Sequence, residues 1–428
     1  MTDAVRVGML GCGTVGAATI RLLHDHTRDV ERRAGRPIEV TRVAVRDPAR
    51  EREVPVDGSR FTDDARSVAT DPDVDVVVEV MGGIEPAREL VLEALGAGKR
   101  VVTANKELLA THGPELYAAA AVGGAGLHFE GAVAGGVPLI RPLIESLTGE
   151  RITRLLGIVN GTTNYILTRM SEDGRSFGDA LAEAQRLGYA ERDPTDDVEG
   201  FDAAAKCAIL ASLAFDTRVV TADVYREGIA RVSPEDIEFA RRLGYVVKLL
   251  AVAELEGPDL AVRVHPAMIP AAHPLAAVRD AFNAVFVDGP HVGELMFYGR
   301  GAGGAPTAVA VVGDLVTAAR HVAEGRPGLS FASEVRLRIR PMELMEAQYY
   351  LLLDVVDRPG VLAQVAGAFG DQKVSIKSVW QEGTGDDALL VLITHRANEG
   401  AIRATVDALR SLEPVLEVRS VMRVEGEE

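Results

Sequence analysis

Val5-Arg6-Val7-Gly8-Met9-Leu10-Gly11-Cys12-Gly13-Thr14-Val15-Gly16 decides how the front of this 428-residue chain folds. A short apolar run meets glycines spaced G-x-G-x-x-G, and a stretch with helical spacing follows from Thr14 to about His26. The pattern predicts strand, tight turn, helix. In such a turn the first glycine permits the bend and the second lets backbone approach a pyrophosphate. The third packs helix on strand, leaving helix N–H groups to hold the anion. Gly11, Gly13 and Gly16, with Thr14 and Val15 among them, are therefore candidate dinucleotide-binding residues.

Working outward, apolar runs recur at Ile38 to Val45, Val74 to Val80 and Arg100 to Thr103, separated by helical spacing such as Ala87 to Leu95. This alternation predicts an α/β fold with a doubly wound, Rossmann-like parallel sheet. At the end of the second strand Arg46 suits a 2′-phosphate, whereas an acid such as the adjacent Asp47 suits an unmodified ribose. NADP or NAD is expected, and Arg46 favours NADP.

From about Pro138 the character changes, with a strand at Ile152 to Val159 and helices at Phe177 to Leu187, Gly200 to Phe215 and Pro234 to Leu243. A glycine-rich stretch, Gly299 to Gly304, leads into a long helical pattern from about Thr307 to Val322. Arg326 to Pro341 is charged and aperiodic and reads as a linker. From Tyr349 to Val424 the order is βαββαβ, a ferredoxin-like module. The expected plan is a dinucleotide-binding domain over 1–137 completed by a helix at 307–322, then a mixed α+β domain over 138–306. A linker at 323–347 and a C-terminal module at 348–428 follow. No internal repeat at solenoid period is read.

Composition excludes several function classes. The net charge of −17 argues against nucleic acid, whose phosphates need a basic surface. No long uncharged apolar run and no export signal is read, so no membrane partner and a cytoplasmic location are expected. Two cysteines, Cys12 and Cys207, lack metal-like spacing with the nine histidines.

Four motifs carry the chemistry: Thr103-Ala104-Asn105-Lys106, Gly157-Ile158-Val159-Asn160-Gly161-Thr162-Thr163-Asn164, Gly188-Tyr189-Ala190-Glu191-Arg192-Asp193-Pro194, and Asp202-Ala203-Ala204-Ala205-Lys206. In this order, with the glycine turn in front, they closely resemble homoserine dehydrogenases from about residue 5 to 320. Independently of that resemblance, reducing an aldehyde needs a hydride donor and a group that gives a proton to the carbonyl oxygen. Lys106 and Lys206 stand out because lysine is scarce here relative to arginine and both fall in apolar or glycine-rich surroundings. A desolvated lysine exchanges protons nearer neutrality.

The resemblance implies that Lys206 donates the proton in reduction and accepts it in oxidation, with Lys106 beside the nicotinamide and the substrate oxygen. It places Thr103, Gly188 and Gly303 at the cofactor and makes the middle domain the substrate-binding and dimerisation domain. An amino-acid substrate carries an ammonium group, and by resemblance Glu191 and Asp202 bind it, with Asp197 a further candidate. Asp202 also lies four residues before Lys206, on the same face of one helix. In Glu130 to Val137 a similar family stretch holds a monovalent cation, sodium or potassium, through one carboxylate and backbone carbonyls. The matching positions are Glu130, Val133, Gly135 and Val137; hard oxygen ligands suit such an ion.

Asp357-Arg358-Pro359-Gly360-Val361-Leu362, between the first strand and helix of the βαββαβ unit, resembles the ACT family of amino-acid-binding regulatory domains. A helix N-terminus freed by glycine can hold a ligand carboxylate. Asp357, Gly360 and Val361 are the candidate effector residues, and threonine is the effector the resemblance implies.

The expected reaction is reversible NAD(P)H-dependent reduction of L-aspartate 4-semialdehyde to L-homoserine by a homodimer or homotetramer acting on a small-molecule substrate. Two rivals are a thiol-dependent aldehyde dehydrogenase, which would need Cys12 or Cys207 as nucleophile, and a non-catalytic sensor of NAD(P) and amino acid. The paired lysines and acids argue against the sensor.

Overall fold

The structure, a computed structural model, describes residues 4–326, 336–383 and 388–426. The chain divides into two compact units. The first gathers Met1–Val159, Ala204–Val224 and Asn283–Leu337, and the second gathers Asn160–Ala203, Tyr225–Phe282 and Arg338–Glu428.

The first unit contains the parallel sheet predicted from the glycine turn. Its strands are β1 (Val5–Leu10), β2 (Ile38–Ala44), β3 (Phe61–Thr62), β4 (Val76–Glu79), β5 (Arg100–Thr103) and β6 (Leu127–His128), in the order β3-β2-β1-β4-β5-β6. Strand β4 is buried along its whole length and β1 nearly so. That explains why they read as unbroken apolar runs, since helices cover both faces. Val7, Met9, Val43, Val78 and Val102 share one core with Ile20 and Leu23 of the helix Thr14–Asp25.

The long helix that follows the glycine-rich stretch runs over Gly304–Glu324, wider than the 307–322 read from its periodicity. Val311, Leu315 and Ala319 join the same core. A hairpin before it, Phe282–Gly289 and Gly293–Arg300, pairs antiparallel with the strand Arg154–Ile158. Residues 138–159 and 283–306 therefore group with the front unit rather than with the middle domain. Strand pairing outweighs proximity in sequence here.

The second unit is built on a hairpin that the sequence reading missed. Tyr245–Glu256 and Asp259–Pro270 pair residue for residue from Tyr245↔Pro270 to Glu256↔Asp259. Nearly every position of the second strand is buried, so no polar–apolar alternation marks it. The C-terminal module has the predicted order: strand Glu346–Val355, helix Val361–Asp371, strands Ile376–Glu382 and Ala388–Thr394, helix Glu399–Arg410, strand Val415–Val424. Its four main strands are antiparallel, and Leu351, Leu353, Leu390 and Leu392 pack against Val365, Phe369, Ile402 and Leu409.

The last strand also pairs in parallel with the hairpin, Ala267 with Arg423 and Met268 with Val424. Of the stretch expected as linker, 327–335 lies outside the described residues. Beyond it Arg338–Ile339 pairs with Asp259–Leu260 and Arg338 forks onto the Asp259 carboxylate, so residues 338–347 are structured. Among the described residues no helix is long and apolar enough to cross a membrane.

Candidate active site

Strand order reverses between β1 and β4, the place where open α/β sheets leave a ligand crevice at the carboxyl ends of their strands. The glycine turn sits there. Gly11 has φ +107°, and a Cβ on it would lie 2.8 Å from the carbonyl oxygen of Val80 at the end of β4. A Cβ on Gly16 would lie 2.5 Å from the Gly11 carbonyl oxygen, which is the close helix–strand contact the third glycine serves. Gly13 faces open space and precedes a helix with no side-chain cap and no acid in its first turn. Its N–H groups and dipole are thus available to a pyrophosphate, and the loop fits a dinucleotide.

The start of the helix Gly304–Glu324 reaches the same loop: a Cβ on Gly304 would meet Thr14 Cγ2 at 2.8 Å. Gly303, the residue before this helix, supplies no side-chain cap. Arg46 is exposed past the end of β2 and has no ion pair among the described residues. Asp47 instead uses Oδ1 to accept from Ala49 N at 3.1 Å within its own turn.

At the ends of β4 and β5 a buried chain fixes the first lysine. Thr103 Oγ1 donates to Glu79 Oε2 (2.6 Å), and Glu79 Oε1 accepts from Met81 N and Gly82 N. Burial pushes the Glu79 carboxyl up, against the opposing pull of these donors. Asn105 donates to Gly83 O (2.7 Å) and its Oδ1 caps Leu108 N. Lys106 is thereby set on the first turn of the helix Lys106–Gly123.

Lys206 is buried on the helix Phe201–Ala214, with Nζ donating to Val159 O at 2.9 Å. The same carbonyl accepts from Asn283 Nδ2 at 2.9 Å. Asn283 was not singled out in the sequence, yet its amide lies flat on Gly301, where a Cβ would fall 2.0 Å from Asn283 Cγ. The only sequence signal for this packing is the glycine run itself. Neither cysteine is placed as an exposed, activated nucleophile: Cys207 is fully buried, and burial pushes the Cys12 thiol up despite Arg52 and Arg21.

Within the second unit Asn160 organises the acids. Its Nδ2 donates to Asp197 Oδ1 (2.6 Å) and Asp202 Oδ2 (2.8 Å), while Oδ1 accepts from Thr163 N and caps the helix Gly161–Asp173. Two carboxylates thus converge on one amide, and Asp202 is buried. Glu191 stands apart on an exposed turn, fastened through its backbone by Gln185 Nε2 (3.0 Å) and through Tyr189 O by Thr162 Oγ1 (2.8 Å). Gly188 ends the helix Phe177–Arg186 at this turn with φ +77°. Asn164 donates to Asp280 O (2.9 Å) and accepts from Lys248 Nζ (3.1 Å). Burial pushes the Lys248 ammonium down to about 8.

The expected cation stretch departs from the sequence reading. The Glu130 carboxylate is buried and accepts from Leu139 N (2.5 Å), Ile140 N (2.8 Å), Arg141 N (2.9 Å) and Arg141 Nε (3.2 Å). These donors occupy both oxygens, so the side chain does not fit the role of cation ligand. Glu130 N donates to Asp314 Oδ2 at 2.8 Å, and burial with the Glu130 charge pushes the Asp314 carboxyl up to about 7, against Arg141. Among the described residues no cluster of three or more His, Cys, Asp or Glu could hold a metal ion.

In the C-terminal module Gly360 has φ +91° and opens onto empty space before the helix Val361–Asp371, which has no acid in its first turn. Asp357 Oδ1 accepts from Gln381 Nε2 at 2.9 Å, and Val361 is buried.

A dinucleotide cradle, a buried lysine and a regulatory module define an NAD(P)-dependent oxidoreductase with an ACT domain. Comparison with known proteins narrows the class. Family models match for homoserine dehydrogenase (residues 138–316), the homoserine dehydrogenase NAD-binding domain (11–130) and the ACT domain (349–414). Homoserine dehydrogenase of Mycobacterium tuberculosis is 49% identical over 433 residues, 99% of this chain and 98% of that one. The crystal structure of a homoserine dehydrogenase from Thiobacillus denitrificans superposes with TM-score 0.94 at 42% identity over 99% of each chain. A hyperthermophilic archaeal homoserine dehydrogenase in complex with NADPH matches at TM-score 0.64 and 28% identity, over 76% of this chain and all of that one. The chain belongs to the homoserine dehydrogenase family.

Proposed function

We propose that the chain reversibly reduces L-aspartate 4-semialdehyde to L-homoserine with NADPH as the preferred hydride carrier, under feedback by threonine. The observation that carries the chemistry is Lys206, a buried ammonium held on Val159 O at the end of a motif shared with this family. In reduction Lys206 would give its proton to the carbonyl oxygen, and in oxidation it would take the hydroxyl proton. Lys106 would bind beside the nicotinamide and contact the same oxygen. Asp202 and Asp197, drawn together by Asn160, bind the substrate ammonium with Glu191, since paired carboxylates are what a cation satisfies.

The cofactor site comprises Gly11, Gly13, Thr14, Val15 and Gly16, with Thr103, Gly188 and Gly303 contributing backbone. When bound, the nicotinamide supplies the hydride. Support for NADP comes from the exposed Arg46, which has no ion pair among the described residues, from Asp47 being engaged in its own turn, and from the NADPH complex of the archaeal relative. A monovalent cation would be held by the main-chain oxygens of Glu130, Val133, Gly135 and Val137 rather than by the carboxylate. Threonine would bind at Asp357, Gly360 and Val361 of the ACT domain. The enzyme works in the cytoplasm as a homodimer or homotetramer.

Steady-state oxidation of homoserine with NADP and NAD, with and without threonine, tests this reading. The wild type favours NADP, and Arg46→Ala loses roughly tenfold of that preference, the worth of one charge-assisted phosphate contact. Equal use of both cofactors by wild type and variant contradicts the assignment. Indifference to threonine removes the proposed effector.

A further inference from the structure

Between the C-terminal module and the segment around residues 225–232 lies a cavity of about 770 Å³, lined among others by Glu227, Gly228, Tyr349, Glu399 and Arg423. One side chain reaches across. Arg423, on the last strand, is 5% exposed and sends Nη2 to both oxygens of the buried Glu399 (2.9 and 2.9 Å) and Nε to Glu399 Oε2 (3.1 Å). Its Nη1 reaches Glu227 Oε1 at 2.9 Å, and its guanidinium lies 5.4 Å from the Tyr225 ring. The Tyr225 hydroxyl donates to that same Glu227 oxygen.

The segment gripped in this way packs on the stretch between the two acids, residues 198–201. Ile229 N donates to Val198 O (2.8 Å), and Arg226 donates to Glu199 O (3.0 Å) while stacking 3.4 Å over the Phe201 ring. At Gly228 the backbones meet so closely that a Cβ would fall 2.3 Å from Val198 O. Residues 198–201 are thus held from one side, and Asp197 and Asp202, which flank them, are held from the other by Asn160.

We infer that Arg423 is a positioning residue for the substrate acids Asp197 and Asp202, acting through Glu227 and the 225–229 segment. The inference rests on the reading of those acids as the ammonium site. A buried, fully hydrogen-bonded ion pair has a defined geometry, so it transmits the position of the last strand rather than merely adding cohesion. The state of the C-terminal module is thereby felt where the substrate ammonium binds, not at the cofactor.

The test is steady-state kinetics of the full-length chain with homoserine and NADP. Arg423→Met raises KM for homoserine by roughly tenfold, within the range that coupling between sites carries, and leaves kcat and KM for NADP within about twofold. Glu227→Gln, which keeps the Arg423 pair with Glu399 and so guards against misfolding, shifts KM in the same direction. Arg423→Lys restores part of the loss, and the exposed Arg410→Ala, which pairs with Asp407 instead, changes nothing. If the Arg423 and Glu227 variants bind NADPH normally with KM for homoserine unchanged, while Asp202→Asn raises it, the positioning role is overturned alone. If Asp202→Asn also leaves KM unchanged, the acid assignment and the positioning role both fall.

Discussion

Replacing Lys206 with alanine is expected to lower kcat for homoserine oxidation by roughly 10²- to 10⁴-fold, the usual worth of a placed general acid–base. Affinity for the dinucleotide is expected to stay near normal, because the glycine cradle and Arg46 do not involve this side chain. The buried site makes the prediction sharp. Val159 O would lose Nζ but keep Asn283 Nδ2, so the backbone there retains a donor and the variant has reason to fold. Turnover at the wild-type rate by a folded Lys206→Ala protein would remove Lys206 from proton transfer. The control is Cys207→Ala, one residue on, which tests the thiol rival and should leave turnover essentially intact.

Gly16→Ala is expected to weaken NADPH binding by roughly 100-fold or more and to lower the thermal midpoint by several degrees, the scale of an overpacked core site. The added Cβ would lie 2.5 Å from a backbone oxygen, which cannot swing aside as a flexible side chain would. Gly13→Ala separates the two effects. Its Cβ meets nothing within 4 Å in the free protein, so stability should hold while cofactor affinity still falls if this open space is where the pyrophosphate binds. Binding titrations and thermal scans on both variants read this contrast. Equal cofactor affinity in Gly13→Ala and wild type would move the pyrophosphate elsewhere.

Much of the fold was legible because its elements are periodic and locally consistent. Arg100–Thr103 and Ala388–Thr394 match their strands to the residue, and the βαββαβ order of the C-terminal module reads directly from alternating apolar spacing and turns. The hairpin Tyr245–Pro270 did not read, since strands buried on both faces carry no alternation and its Arg263 and His265 are buried among partners brought from afar. Arg263 pairs with Glu254 and with Glu425, 162 residues away. Unit membership was equally hidden: that Phe282–Arg300 belongs with Arg154–Ile158 is a fact of strand pairing between distant segments.

For the site, motifs with fixed spacing were visible and their supports were not. Gly11, Gly13 and Gly16 announce themselves, whereas Asn283 donates to the same Val159 carbonyl as Lys206 from 124 residues away and leaves no local trace. Asn160 stood inside a quoted motif, yet its reach to both Asp197 and Asp202 depends on a turn formed elsewhere. Glu130 shows an engagement that its sequence does not announce. A carboxylate in a glycine-rich stretch suggested an ion ligand, and the fold spends it on the amides of Leu139, Ile140 and Arg141.

The central claim is that this chain moves hydride between the hydroxyl carbon of homoserine and a nicotinamide, with an acid pair reading the ammonium group. The most direct measurement follows NADPH formation by the purified full-length protein with L-homoserine, set against the same alcohol lacking its amino group. The account predicts steady NADPH formation with homoserine and at least a hundredfold lower kcat/KM with the deaminated analogue, about 3 kcal/mol for a lost charge-assisted pair. No homoserine-dependent NADPH formation, or equal rates with both alcohols, would contradict it.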